Sequence, residues 1–176
     1  MDEQQRQLAF GQRLQSYQPA GWNQIPDLGL YMDQVITYMD RQCRDLYTPG
    51  ERILTPAMVN NYVKLGLVKR PVAKKYSRES LAQLLMICTL KQAVSVEGIK
   101  VLLMPEDGQD TESLYRHFCN LQSDIFSNLA RELPLASGMT CAVRCAAYRF
   151  LCNYVPTASP DVPGKSAQSK RDPGSL

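Results

Sequence analysis

Residues 54–78 read LTPAMVNNYVKLGLVKRPVAKKYSR, and the reading of this stretch settles what kind of protein the chain is. The Thr55-Pro56 pair opens a helix: a threonine hydroxyl accepts from the free amides of a first turn, and proline at the first helical position lacks only an amide proton that had no partner there. Gly66 closes it, because the residue past a helix end takes a left-handed backbone that glycine adopts without strain. At 100° per residue, Met58, Tyr62 and Leu65 fall on one side, flanked by Val59 and Val63, while Ala57, Asn60, Asn61 and Lys64 share the other. The spacing predicts a short helix, 55–65, with an apolar face for a core and a polar face carrying two asparagines and a lysine. A basic strip containing Pro71 follows, and Tyr76-Ser77 leads into another helix.

Seven bases, Arg52, Lys64, Lys69, Arg70, Lys74, Lys75 and Arg78, lie within 52–78, and no acid does. The whole chain carries +3, so its remainder carries −4. A mildly basic protein is thus an acidic one with a single basic patch, which is the electrostatic footprint of polyanion binding. Asparagine can both donate to and accept from an adenine edge in the major groove, and lysine reaches phosphate or guanine. By itself the Asn60-Asn61 pair reads as a solvated helix face. The basic strip beside it moves the reading toward duplex DNA.

Asn60-Asn61-Tyr62, then Lys64-Leu65-Gly66-Leu67-Val68, Pro71, Lys75-Tyr76-Ser77 and a following leucine-rich helix resemble the MerR-type winged helix-turn-helix. That family's signature is a Leu-Arg-Tyr-Tyr helix, a Gly-Leu-Leu turn, a Pro/Arg wing and a tyrosine that begins the next helix. More closely, Leu30-Tyr31-Met32-Asp33-Gln34-Val35 together with 54–103 is similar to an uncharacterised bacterial family, catalogued as a domain of unknown function, whose members are thought to be MerR-like DNA-binding proteins. The resemblance covers roughly residues 25–104. It implies a mainly α protein with a winged helix-turn-helix head, a small β wing at most, a recognition helix 55–65 and a basic wing 68–76. The Arg-Tyr pair that MerR-type proteins use on the DNA backbone stands here as Asn60-Asn61, and only Tyr62 keeps the second tyrosine. No promoter-distorting mechanism is carried over.

A chain of 176 residues holds one domain with appendages, or at most a small domain with a helical extension. No apolar run approaches the ~18 residues of a membrane span, and MDEQQRQLAF is not a signal peptide. A cytoplasmic protein without membrane association is expected. The six cysteines contain no C-x-x-C pair, and five lie in apolar helical patterns, so they read as buried thiols without disulfides.

Residues 1–26 form an N-terminal arm: a weak helix to 18, a Pro19/Gly21 break and an apolar approach in which Trp22, the sole tryptophan, is a packing anchor. A head spans 27–104. Leu28, Met32, Val35, Met39, Cys43 and Leu46 step at helical spacing and predict a helix over 28–46. The Pro49-Gly50 turn that follows either touches a DNA backbone through Arg52 or is a connector, and the connector is preferred. Ser77 caps a helix to about 92 with Leu81, Leu84, Leu85, Cys88 and Gln92 as its buried stripe, and Ser95 caps a shorter one over 96–104. Beyond the 105–111 linker, 110–155 holds two amphipathic helices. Leu114, Phe118, Leu121, Ile125, Leu129 and Leu133 mark the first, and Cys141, Cys145, Tyr148 and Cys152 share one side of the second. Such a hairpin serves as a dimer interface or effector region, or folds back on the core. Residues 156–176, rich in Pro, Gly, Ser and Lys, read as a disordered tail.

Cys141, Cys145 and Cys152 on one helix face, near His117 and Cys119, invite a zinc test, but the usual zinc spacings are absent and the cysteines alternate with alanine. No metal and no cofactor are expected. Without a nucleophile elbow, P-loop, HExxH or dinucleotide fingerprint, neither is an enzyme. The expected function is sequence-specific binding of double-stranded DNA by a homodimer that regulates transcription, with a small-molecule effector for the hairpin as a rider. Asn60, Asn61 and Lys64 approach base edges. Lys69, Arg70, Lys74, Lys75 and Arg78 hold phosphates, and Thr55, Tyr62 and Tyr76 position helix and wing. The alternative is an adaptor module on a degenerate winged-helix scaffold that binds an acidic protein instead of DNA.

Overall fold

The structure, a computed structural model, describes residues 3–48, 50–104, 109–132 and 137–152. The expected tail, 156–176, lies outside them. The described residues are mainly helical: α1 (Glu3–Ser16), α2 (Met32–Cys43), α3 (Pro56–Lys64), α4 (Arg78–Leu90), α5 (Val96–Leu102), α6 (Thr111–Glu132) and α7 (Gly138–Cys152), with 3-10 turns at Trp22–Gln24 and Arg44–Leu46. Extended pairing is limited to two antiparallel bridges, Leu30 with Tyr76 and Val72 with Lys75.

The three caps expected from sequence form. The side chains of Thr55, Ser77 and Ser95 accept from the amides of Met58, Ser80 and Gly98 at 3.2, 3.4 and 3.1 Å. The helix expected over 28–46 begins later, at Met32. Leu30 is drawn into the bridge with Tyr76, and Tyr31 precedes the helix with its amide donating to Gln34 Oε1 at 2.9 Å. Leu28 therefore stands exposed instead of heading the apolar stripe.

The core is built around α4. Leu81, Ala82, Leu84, Met86, Ile87 and Cys88 are all at most 1% exposed, so this helix is buried on every side and not along one stripe. Gln92, expected in that stripe, lies past the helix end and is exposed. Val35, Met39 and Cys43 of α2, Val59 and Tyr62 of α3, Ile99 of α5 and Tyr115 of α6 belong to the same cluster. Trp22 is the anchor expected of the arm: its ring lies 6.2 Å from that of Tyr115, whose hydroxyl donates to the Ala20 carbonyl at 2.6 Å.

Only the start of the apolar stripe read in α6, Leu114 and Phe118, packs against this core. Tyr115 and Gln122 are buried, Leu114 and Phe118 are half-buried, and Leu121, Ile125 and Leu129 are exposed. α1 packs on α6, and just past its end the Tyr17 ring lies 5.0 Å from that of Phe126. In α7 no residue is buried. Only Cys43 and Cys88 are buried among the six free cysteines; Cys119, Cys141 and Cys152 are half-buried and Cys145 is exposed, which corrects the expectation of buried thiols. No helix among the described residues is long and apolar enough to cross a membrane.

Several tyrosines sit around this core with hydroxyls that ionise late. Burial pushes Tyr38 from 10.0 to about 12, with the nearby Cys43 adding to it, and burial likewise raises Tyr47, Tyr62, Tyr76 and Tyr115. Each folded-state value lies above that of the unfolded chain, so the stability they carry is intact below pH 10 and declines as pH rises toward 12 and beyond. The midpoint of a urea titration should fall steadily across that alkaline window and stay flat between pH 8 and 9.5 on their account.

Candidate nucleic-acid interface

Asn60, Asn61 and Lys64 are exposed on the outer side of α3, while Val59 and Tyr62 on its inner side are 0% and 5% exposed. The helix ends in a paired cap. The amide of Gly66, at φ +76°, donates to the Val63 carbonyl at 3.1 Å, and that of Leu67 to the Tyr62 carbonyl at 2.9 Å. This is the Schellman arrangement, in which glycine's left-handed backbone satisfies two terminal carbonyls. It reverses the chain so that Leu67 and Val68, at 4% and 2% exposure, enter the core. Leu65, expected on the apolar face, is instead 40% exposed.

The strip that follows is held at both ends. At its start, the Lys69 amide donates to Gln83 Oε1 at 2.9 Å and the Lys69 carbonyl accepts from Ser80 Oγ at 3.2 Å. Ser80 is fully buried, so this polar contact inside the core fixes the backbone while the Lys69 side chain stays exposed. At its end, Tyr76 exchanges both backbone bonds with Leu30, at 2.8 and 3.0 Å, and its side chain is 3% exposed. Between these anchors, Val72 and Lys75 exchange bonds of 3.0 and 2.9 Å around Ala73 and Lys74, at φ +48° and +63°. Two consecutive left-handed residues are the φ pattern of a type I′ hairpin turn.

The expected contacts thus sort by position. Asn60, Asn61, Lys64, Lys69, Arg70, Lys74 and Lys75 are exposed along α3 and the hairpin. Lys75 also lies over the Tyr31 ring, 5.3 Å from its centroid. Tyr62 and Tyr76 are buried, so they position the backbone and offer no surface. Arg78, expected on phosphate, turns toward the arm: its Nε donates to the Ile25 carbonyl at 3.0 Å, its guanidinium lies 3.5 Å from Asp27 and it stacks on Trp22 at 5.8 Å. Glu79 is the acid beside this surface. Its carboxyl is held below the ordinary range by hydrogen bonds from Ser77 and its own amide, and then by Lys69 and Arg78. Sequence reading missed the clamps. Ser80 and Gln83 were visible only as polar breaks in an apolar helix. Gly29 was not singled out, yet a Cβ there would come within 2.8 Å of Lys75 Cβ. Among the described residues, no group of three or more His, Cys, Asp or Glu could hold a metal ion.

Residues 20–118 match the family model described as Domain of unknown function (DUF1836). The chain belongs to that family. No curated protein and no solved structure matches it. The span of the DUF1836 match is wider than residues 25–104 and takes in both partners of the Trp22–Tyr115 contact. The first turns of α6 therefore belong with the DUF1836 core, leaving the rest of α6 and α7 beyond it.

Ala73 and Lys74 carry side chains in a backbone region that costs an L-residue about 1–2 kcal/mol. The A73N/K74G variant supplies the residues this turn favours, and a denaturant titration should show a gain of about 1 kcal/mol. Unchanged or reduced stability would mean that the tip is not left-handed.

Proposed function

We propose that this DUF1836 chain binds double-stranded DNA and regulates transcription in the cytoplasm, through a winged helix-turn-helix-like head of the MerR type. α2 and α3 form the helix pair, α3 is the recognition helix and the hairpin 68–76 is the wing. The observation that carries this reading is the exposure of Asn60, Asn61, Lys64, Lys69, Arg70, Lys74 and Lys75 on one helix and the hairpin it leads into. No acid falls anywhere in 52–78 to offset it. Asparagine side chains supply base-edge recognition, and the wing lysines supply phosphate contacts that carry affinity but little sequence information.

Replacing Lys74 and Lys75 together by alanine should weaken binding to every duplex sequence and make the plot of log K against log salt shallower by roughly 1.8, or 0.9 for each phosphate lost. Asn60→Ala or Asn61→Ala should instead change which sequences emerge from a selection on a random duplex pool. A salt slope unmoved by the double lysine change overturns the wing assignment. One feature favours a protein partner instead: Leu28 and Val72, beside and within the hairpin, are apolar and 80% exposed. Negligible affinity for random duplex at low salt selects that adaptor reading.

The DNA-binding unit acts as a homodimer through α6 and α7. Leu121, Ile125, Leu129, Met139, Val143, Tyr148 and Leu151 are 45–75% exposed. A helix of 15 residues with none buried is only marginally stable in water. A second copy packed against these side chains covers both needs, a standard interface taking ~800 Å² from each partner. Sedimentation should give twice the chain mass for the wild type and the monomer mass for Ile125→Glu. A monomeric wild type at micromolar concentration removes the dimer.

A further inference from the structure

A second basic cluster lies at the other end of α3. A groove of about 630 Å³ runs between α2 and the loop that delivers α3, and among its lining residues are Asp40, Arg41, Arg44, Glu51, Arg52 and Thr55. Three guanidinium groups thus line one groove of a chain that is acidic outside 52–78. Two acids, Asp40 and Glu51, share the groove with the three arginines and leave it a net charge of +1. Asp40 pairs with Arg44, and Glu51 Oε2 accepts the Thr48 amide at 3.3 Å. Arg44 is engaged too, because it also donates to the Glu51 carbonyl at 3.0 Å and so braces the loop against α2. Arg41 and Arg52 are exposed and have no acidic partner among the described residues.

The position of this pair relative to the wing is what gives it meaning. α3 has nine residues and is therefore about 13 Å long. The groove lies at its Thr55 end and the hairpin begins just past its Gly66 end. The major groove of B-DNA is about 12 Å wide, with one phosphate strand along each wall. A helix is itself roughly 10–12 Å across and fills that groove, so one that presents Asn60 and Asn61 to base edges with cations beyond both ends brings them near the phosphates of both walls. We infer that Arg41 and Arg52 hold phosphate of one DNA strand while the wing lysines hold phosphate of the other. Arginine suits the task, since its planar fork matches phosphate oxygens two at a time. The inference rests on the duplex-binding reading, and it assigns the loop before α3 a contact where a connector was expected.

The test uses the full chain and a random duplex, with affinity followed by fluorescence anisotropy at several salt concentrations. R41Q/R52Q should weaken binding to all sequences alike and make the salt slope shallower by roughly 1.8, or 0.9 for each phosphate released. R41K/R52K should restore most of that slope, because counterion release follows charge. If R41Q/R52Q loses helicity by circular dichroism, Arg41→Gln alone takes its place, with an expected loss of roughly 0.9. A wild-type slope in the glutamine variant, alongside a shallower one in K74A/K75A, overturns the groove assignment and leaves the wing standing. A wild-type chain with no duplex affinity at low salt overturns both.

Discussion

The constraint on which the rest depends is the burial of α4 from every direction. A helix with Leu81, Leu84, Ile87 and Cys88 all fully buried needs cover on each side. α2, α3, α5 and the start of α6 supply it. Dry surroundings of this kind make each polar group inside them matter, because an unpaired one loses its hydration without return. Ser80 is such a group, and its hydroxyl goes to the Lys69 carbonyl. The helix that organises the core is thereby also the one that fixes where the basic hairpin starts.

The hairpin is an extension of that core and not a loop laid on its surface. Gly66 turns the chain back, Leu67 and Val68 plug in, Lys69 is clamped, and Tyr76 returns to the core beside Leu30. Between these anchors Arg70, Val72, Ala73 and Lys74 are exposed. This explains how a strip with so many like charges keeps one shape: mutual repulsion of the lysines acts on side chains in solvent, while the backbone beneath them is held by buried contacts. Gly29 completes the arrangement, because the chain entering α2 runs directly against Lys75.

Much of this was legible in the residues. Thr55, Pro56, Gly66, Ser77 and Ser95 mark helix ends through local chemistry, and local chemistry does not depend on what lies across the core. The polar face of α3 followed from phase alone. Phase failed in α6. The 4-3-4-4 spacing from Leu114 to Leu129 describes an apolar face correctly, but Tyr115 and Gln122, one position along, are what the core buries. A long helix can carry two such faces, and periodicity does not say which one meets α4 and which one is left for another partner. Arg78 failed for a related reason. As a charge it belongs to the basic run, but Trp22, Ile25 and Asp27 lie within its reach and hold it.

By itself, the sequence determined the helical class, the ends of most helices, the basic run and the face of α3 that carries Asn60 and Asn61. These are properties of neighbouring residues, set by capping, backbone preference and an angle of 100° per step. Tertiary structure alone decided that Leu30 pairs with Tyr76, that Ser80 and Gln83 grip Lys69, that Arg78 turns inward and that Arg41 and Arg52 share a groove. Each of those joins residues separated along the chain, and only the packing of α2, α3 and α4 brings them within reach.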